Sequence, residues 1–508
     1  MLNNNFIIFN QLINLNKNNL LNAISGMLGF TIPILALIFT SPYIISNLGE
    51  ESYGVINFTS LLISYLLLLD CAYEVVLTKT IASNTNKIDL YTNQSLLVYI
   101  TIAIIGLICT CLFSIPYSFY LVNIDDTKRW DLFLTLLLTG ISFISLMIYT
   151  WNKSLANGLG NYLVSNFFYV CFNLFGIIAG IVVVFLGGDF LEYTFYRTLV
   201  WVIMIPVYLY HTNKYIAKLN LQFNKTVFSL FFKNASFGFR LRLSEQFLNR
   251  ADQLLITILF DLKTVAYFSV CFIVYNACTL LVRKMVEFTL PKFSAIYQES
   301  NFVFLNLEFV KYFELTASLV LLIFGTTLFI GNDLLNVWLG TDFANHSSMI
   351  FFNMILGGIL SGISIIILSY YLIATGNYNG YTRFLTIRSF FYLFLFILMS
   401  FIFDFSIDSI SYLFILNGFI DFIYLCFSLK KVESLNLSLL NFKFISYFVV
   451  LILFSILFNL YRSSVDLSFN VFNLMLLVFI YVCFYIFVSV IWGYPKVILS
   501  YLKNKIKH

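Results

Sequence analysis

Apolar stretches of 18 residues or more recur through this chain of 508 residues, from about residue 23 to residue 492. About 20 apolar residues cross a bilayer as a helix, which satisfies its own backbone hydrogen bonds where water is absent. The stretches are continuous and do not alternate, so a transmembrane barrel is excluded. Charged residues make up 10% of the chain, against about 25% in a soluble domain. The fold class that follows is an all-α polytopic membrane protein. Fourteen helices fit the pattern, over 23–45, 53–77, 94–121, 132–151, 163–187, 191–210, 237–259, 265–289, 313–337, 347–373, 384–403, 409–429, 443–461 and 469–492.

Lysine and arginine orient such a chain, because they are retained on the cytoplasmic side. With the N-terminus in the cytoplasm, 21 of the 29 basic residues fall in cytoplasmic segments, among them Lys79, Lys153, Lys214, Lys292, Arg383 and Arg388. The opposite side holds Lys128, Arg129, Lys263 and Arg462, and Arg197, Arg240, Arg242 and Arg250 lie within helices. An even helix count with both termini cytoplasmic is expected. The first 22 residues lack a basic n-region with a small-residue cleavage site, so no cleaved signal peptide is expected. The outer loops are too short for an extramembrane catalytic domain, and a non-enzymatic role follows.

The chain also repeats itself. Leu48–Phe58 (LGEESYGVINF) is echoed by Phe260–Val270 (FDLKTVAYFSV), and Leu155–Phe167 (LANGLGNYLVSNF) by Leu372–Phe384 (LIATGNYNGYTRF). Aligning Tyr53 with Tyr267, and Gly160-Asn161-Tyr162 with Gly376-Asn377-Tyr378, gives nearly one offset. Each match falls at the same place in a block of six helices, as parallel repeats require. The expected organisation is a cytoplasmic leader (1–22), an N-lobe (23–210), a basic amphipathic cytoplasmic linker (211–236), a C-lobe (237–430), and two further helices with a basic tail (431–508).

The eight cysteines lie in or beside apolar segments and suit core positions, and the three histidines are too dispersed for a metal cluster. No GxxxxGK[ST] loop is present, so a built-in ATPase is not expected. Nothing calls for a cofactor or a nucleic acid. Composition and spacing thus reach a two-lobed secondary transporter.

Asn47-Leu48-Gly49-Glu50-Glu51-Ser52-Tyr53-Gly54, followed by an apolar helix ending in Leu69-Asp70, resembles the LG-x-x-x-YG … LLD-x-G opening of Wzx-type polysaccharide flippases. These belong to the multidrug/oligosaccharidyl-lipid/polysaccharide (MOP) exporter superfamily. Asp252-Gln253-Leu254-Leu255-Ile256 with Val265-Ala266-Tyr267-Phe268 resembles the family's seventh-to-eighth helix segment. Leu290-Pro291-Lys292-Phe293-Ser294 resembles its short proline motif. Cys71-Ala72 departs from the small residue and glycine common in the family, which bears on helix packing beside Asp70. The resemblance implies a V-shaped two-lobed transporter in the bacterial cytoplasmic (inner) membrane. It would flip undecaprenyl-diphosphate-linked oligosaccharide units for surface polysaccharide, O-antigen or lipopolysaccharide assembly. Membrane lipids, a polysaccharide polymerase and a chain-length regulator would be its partners, and H+ or Na+ its coupling ion.

Ionised groups near the centre of a bilayer cost about 2.5–3.5 kcal/mol each, so they pair, line a wet cavity, or do both. Asp70 and Glu74, four residues apart, suit a coupling-ion site or a gate ion pair, with Lys79 or an arginine as partner. Solvation at the inner interface is the alternative. In helix 237–259, Arg242, Glu245, Asn249 and Asp252 form one polar stripe, in which Glu245 can pair with Arg242. Arg240 and Arg250 remain for a diphosphate, whose oxygens a guanidinium binds bidentately. Internal salt bridging is the alternative there. Arg197 suits either an ion pair with Asp189 or Glu192 or a place in the cavity lining. Asp421 suits a second ion site or a buried hydrogen-bonded position. The competing functions are a lipid II-type flippase, a multidrug or cation antiporter of the same superfamily, and a membrane polysaccharide polymerase. The arginines argue against the antiporter, and the short outer loops against the polymerase.

Overall fold

The computed structural model describes residues 31–71, 73–83, 87–121, 125–220, 259–287, 289–298, 302–402, 407–431, 442–463 and 471–494, with a few positions at 25–29 and 255–257. Among them every regular element is helical. Among the described residues, twelve helices are long and apolar enough to cross a membrane, as a multi-pass membrane protein requires. The expected helix 237–259 lies mostly outside the described residues. The chain divides into two compact units, Met1–Ala266 and Tyr267–His508.

The first unit contains α1 (Thr31–Leu48), α2 (Glu50–Leu66), α3 (Tyr73–Ser83), α4 (Ile88–Pro116), α5 (Arg129–Gly158), α6 (Tyr162–Phe185) and α7 (Phe190–Tyr215). Its core is built where α4 and α5 face each other, around Tyr99, Phe143, Met147, Trp151 and Leu155. Several polar atoms in this core are tied across helices, as a low-dielectric interior favours. The Trp151 indole donates to Ser95 Oγ at 2.9 Å, and the Asn152 amide donates to Thr212 Oγ1 at 2.8 Å. Beyond α7 the chain is fastened to the start of α4. Lys218 N donates to Asp89 Oδ1 at 3.1 Å, and Asn220 N donates to Asn93 Oδ1 at 2.6 Å.

The second unit begins within α8 (Leu262–Val286). It continues through α9 (Thr289–Gln298), α10 (Phe302–Phe329), α11 (Gly331–Leu339), α12 (Thr341–Ala374), α13 (Tyr378–Ile402), α14 (Ile407–Lys431), α15 (Phe442–Ser463) and α16 (Val471–Trp492). Its centre is α12, packed closely on α14 and α10. A Cβ on Gly357 of α12 would stand 2.3 Å from the Phe414 carbonyl oxygen of α14, and one on Gly418 would stand 2.8 Å from the Gly357 carbonyl oxygen. Missing side chains therefore let the two backbones touch, the route to close packing in lipid. The last two helices are held to α10 by hydroxyls. Tyr481 OH donates to the Leu321 carbonyl at 3.0 Å, and Ser318 Oγ meets Tyr485 OH at 2.6 Å and Tyr447 OH at 3.2 Å.

Two expected spans are interrupted. The span 53–77 breaks between α2 and α3, through a 3-10 turn at Leu67–Asp70 and a left-handed Cys71 at φ 50°. The span 313–337 divides into α10 and α11, where Gly331, Asn332 and Asp333 interrupt the apolar run. The α13 helix starts at Tyr378, six residues before the expected 384, and carries Arg388 inside it. Lys153 likewise lies within α5. Both belong to segments expected on the cytoplasmic side, and these helices run past the apolar stretch.

The repeat is visible in one turn. Gly160 after α5 and Gly376 after α12 stand at φ 76° and 74°. In each copy the glycine amide donates to a carbonyl three residues back, Asn157 at 3.0 Å and Ile373 at 3.2 Å. The next helices start at Tyr162 and Tyr378, the offset read from the sequence.

Candidate functional site

Buried or partly buried charge gathers at several places among the described residues. The first surrounds the break after α2. Asp70 is 1% exposed. Its Oδ2 lies 3.5 Å from the Glu74 backbone nitrogen, at the N-terminus of α3, where free N–H groups attract a carboxylate. The rings of Tyr73 and Tyr99 stack obliquely, 5.5 Å apart, within electrostatic range of Asp70. Glu74 reaches across to α5, where Lys153 Nζ stands 2.7 Å from Oε1. Lys153 is neither of the partners expected for this pair of carboxylates, Lys79 or an arginine. Because the helix breaks between Asp70 and Glu74, the two carboxylates do not share the face of one continuous helix.

The second place is on α7. Arg197 does not pair with Asp189 or Glu192. Asp189 instead caps α7, accepting from Glu192 N at 2.9 Å. The Arg197 guanidinium lies over the Trp201 ring, 4.4 Å from its centroid, a cation–π contact. Trp201 is fixed in turn. Its Nε1 donates to the Phe172 carbonyl at 2.7 Å, and its ring stacks on Phe172 with centroids 4.5 Å apart. Gly176 leaves room for that indole. Arg197 makes no ion pair among the described residues, so its charge is held by an aromatic face without being neutralised.

The third place is in the second unit and was half missed by sequence reasoning. Asp421 on α14 is fully buried. It forms an ion pair with Arg388 of α13 and accepts a hydrogen bond from Ser361 Oγ of α12. The close approach at Gly357 and Gly418 brings Ser361 and Asp421 together, each about one turn further along its helix. The signal for Arg388 was an arginine spaced 10 residues after Tyr378, with the apolar run already begun around it.

A further network lies on α9 and α10. Lys292 Nζ meets Glu308 Oε2 at 2.7 Å and Tyr312 OH at 2.8 Å, and Lys311 stands 3.6 Å from Glu308. Burial alone would pull the Lys292 ammonium down, but Glu308 and Tyr312 outweigh it and hold it above its ordinary value. Arg240, Arg242, Glu245, Arg250 and Asp252 lie outside the described residues. No grouping of three or more metal-ligating side chains occurs among the described residues.

No family model and no curated protein matches the sequence. Solved structures do. A lipid II flippase, MurJ, in an inward closed conformation superposes with a TM-score of 0.73 at 16% identity, over 94% of this chain and 100% of that one. An inward-facing multidrug resistance MATE family transporter of the MOP superfamily gives 0.63 at 12%, over 81% and 99%. A MOP superfamily transporter from Pyrococcus furiosus Vc1, described as having a binding pocket of reverse polarity, gives 0.54 at 11%, over 82% and 96%. These proteins are transporters and flippases of the membrane, and the chain has the fold they share.

Proposed function

We propose that this protein is a flippase that moves undecaprenyl-diphosphate-linked oligosaccharide units across the bacterial cytoplasmic membrane by alternating access, for surface polysaccharide assembly. The observation that carries the reading is the extent of the structural match. Likeness to the lipid II flippase runs over 94% of the chain, and likeness to the two other transporters stops at 81–82%. The difference is about 60 residues, the size of the α15–α16 pair. A lipid-linked cargo thus fits better than a soluble drug.

The charge pattern supports the same direction. A diphosphate is bound most tightly by cations that no carboxylate has already neutralised. Arg197 is one such group, and Arg240, Arg242 and Arg250 supply the remaining candidates. Asp70, Glu74, Glu245, Asp252 and Asp421 are the candidates for coupling to H+ or Na+ or for gating. Fourteen helices, cytoplasmic termini and two six-helix lobes complete the proposal, with a polymerase and a chain-length regulator using the flipped product. A lipid II-type flippase is the second reading, favoured by the neighbour with TM-score 0.73.

The test uses two bacterial strains, one lacking its polysaccharide flippase and one depleted of its lipid II flippase. Expression of this chain is expected to restore surface glycan in the first and not growth in the second. Rescue of the second strain alone would reassign the cargo to lipid II. Arg197→Ala is expected to lower restored glycan about tenfold, the loss of one charge-assisted phosphate contact, while Arg197→Lys retains part of it. Unchanged glycan in Arg197→Ala at equal protein level removes Arg197 from the substrate path.

A further inference from the structure

Buried ion pairs are costly to form. Replacing one with apolar residues of similar volume is often neutral or stabilising. The Arg388–Asp421 pair therefore calls for a reason beyond holding α13 to α14. Its two members are not equivalent. Asp421 keeps none of its side chain accessible, whereas Arg388 keeps 12%. Whatever part of the pair is reachable from outside therefore belongs to Arg388 and not to Asp421. One Nη of Arg388 is committed to Asp421, while Nε is buried without a hydrogen-bond partner among the described residues. A guanidinium has five donors, and a pair built only for structure would satisfy its buried ones.

The surroundings add charge of one sign. Arg283, near the end of α8, lies within electrostatic range of Asp421 and of Tyr381. Tyr275 and Tyr381 are within range of Arg388. The neighbouring Lys284 and Glu287 neutralise each other at 2.8 Å. Counting Arg283 and Arg388 against Asp421 leaves one positive charge in excess.

We propose that Arg388 is an anion-binding residue of the second unit, taking a phosphate group of the cargo, and that Asp421 sets its affinity as a resident counter-ion competing with that ligand. The inference rests on the flippase reading for the identity of the cargo, and on the ion pair itself for the site. A transporter must release what it binds. A guanidinium with a permanent competing carboxylate holds phosphate less tightly than a bare one, so release stays fast. The arrangement also gives the pair a use that an apolar pair of the same volume would lack.

The experiment measures binding of undecaprenyl diphosphate, and separately of inorganic pyrophosphate, to the purified full chain in detergent. Wild type is compared with Asp421→Asn and with the double variant Arg388→Met/Asp421→Leu. Removing the competing charge is expected to tighten binding about tenfold in Asp421→Asn. The double variant is expected to bind about tenfold more weakly than wild type at an unchanged Tm. Preference for the lipid over pyrophosphate assigns the site to the lipid headgroup. Equal affinity assigns it to the phosphate alone, and both support an anion site. Equal affinities of wild type and double variant overturn the proposal, as does weaker binding in a folded Asp421→Asn. Should Asp421→Asn fail to fold, the comparison of wild type with the double variant decides. The outcomes separate from the flippase reading. If wild type restores glycan and the double variant binds and restores equally, only the Arg388 site fails. If wild type restores no glycan yet Asp421→Asn binds pyrophosphate more tightly, only the cargo assignment fails.

Discussion

Which charges meet inside an apolar bundle is decided by how helices face one another, and this is where single residues matter most. Glu74 lies on α3 and its cation on α5. Spacing along one helix reveals neighbours three or four residues away, so it could offer Lys79 but not Lys153. The same limit applies to Arg388, which sits on the helix before Asp421 and had been counted with the cytoplasmic charges. What the sequence did expose was that Asp70, Glu74, Asp421 and Arg197 lie in apolar runs and need compensation. It could not show that an indole would compensate Arg197. The Glu74–Lys153 pair is partly screened, with side chains 21% and 29% exposed. A double-mutant cycle with Glu74→Gln and Lys153→Met is expected to give a coupling of about 1 kcal/mol in unfolding experiments. Zero coupling would mean that solvent, not Lys153, stabilises Glu74.

Helices themselves were legible because bilayer thickness fixes their length and lipid fixes their composition. Most spans agree with the hydropathy to within several residues. The interruptions were less legible. Residues 67–72 read as one apolar run with Asp70 inside it, yet a left-handed Cys71 ends the helix there. Nothing in apolarity distinguishes a continuous helix from a broken one, and only the carboxylate hinted that an end was near. The repeated turn at Gly160 and Gly376 was legible because a positive φ selects glycine. Gly160→Ala and Gly376→Ala are each expected to cost about 1–2 kcal/mol of stability, measured as parallel falls in Tm, with asparagine milder at both positions. Unequal effects would show that the two turns are not equivalent. Gly357→Ala is expected to cost about 1–3 kcal/mol by overpacking, since its Cβ would meet backbone and not a movable side chain. Such a loss would appear in the yield of folded protein.

At the scale of the whole molecule, composition settled the class, and the repeat supported a two-lobed transporter. The fold shared with MOP superfamily transporters then emerged from structural likeness at 16% identity and below. Sequence comparison gave no match, because apolar helices conserve pattern and not residues. Cargo is the least legible property, since it depends on a few cations and most candidates lie in one helix, 237–259. The cargo we propose is a lipid-linked diphosphate sugar moved between leaflets. The most direct measurement reconstitutes the purified chain in proteoliposomes with a fluorescent undecaprenyl-diphosphate oligosaccharide. Accessibility of the sugar to an external quencher or glycosidase is then followed over time. Protein-dependent transfer of the sugar between leaflets is expected, reduced by Arg197→Ala and by Arg388→Met/Asp421→Leu. Transfer no faster than in protein-free vesicles, by a chain shown to be folded, would contradict the proposed cargo.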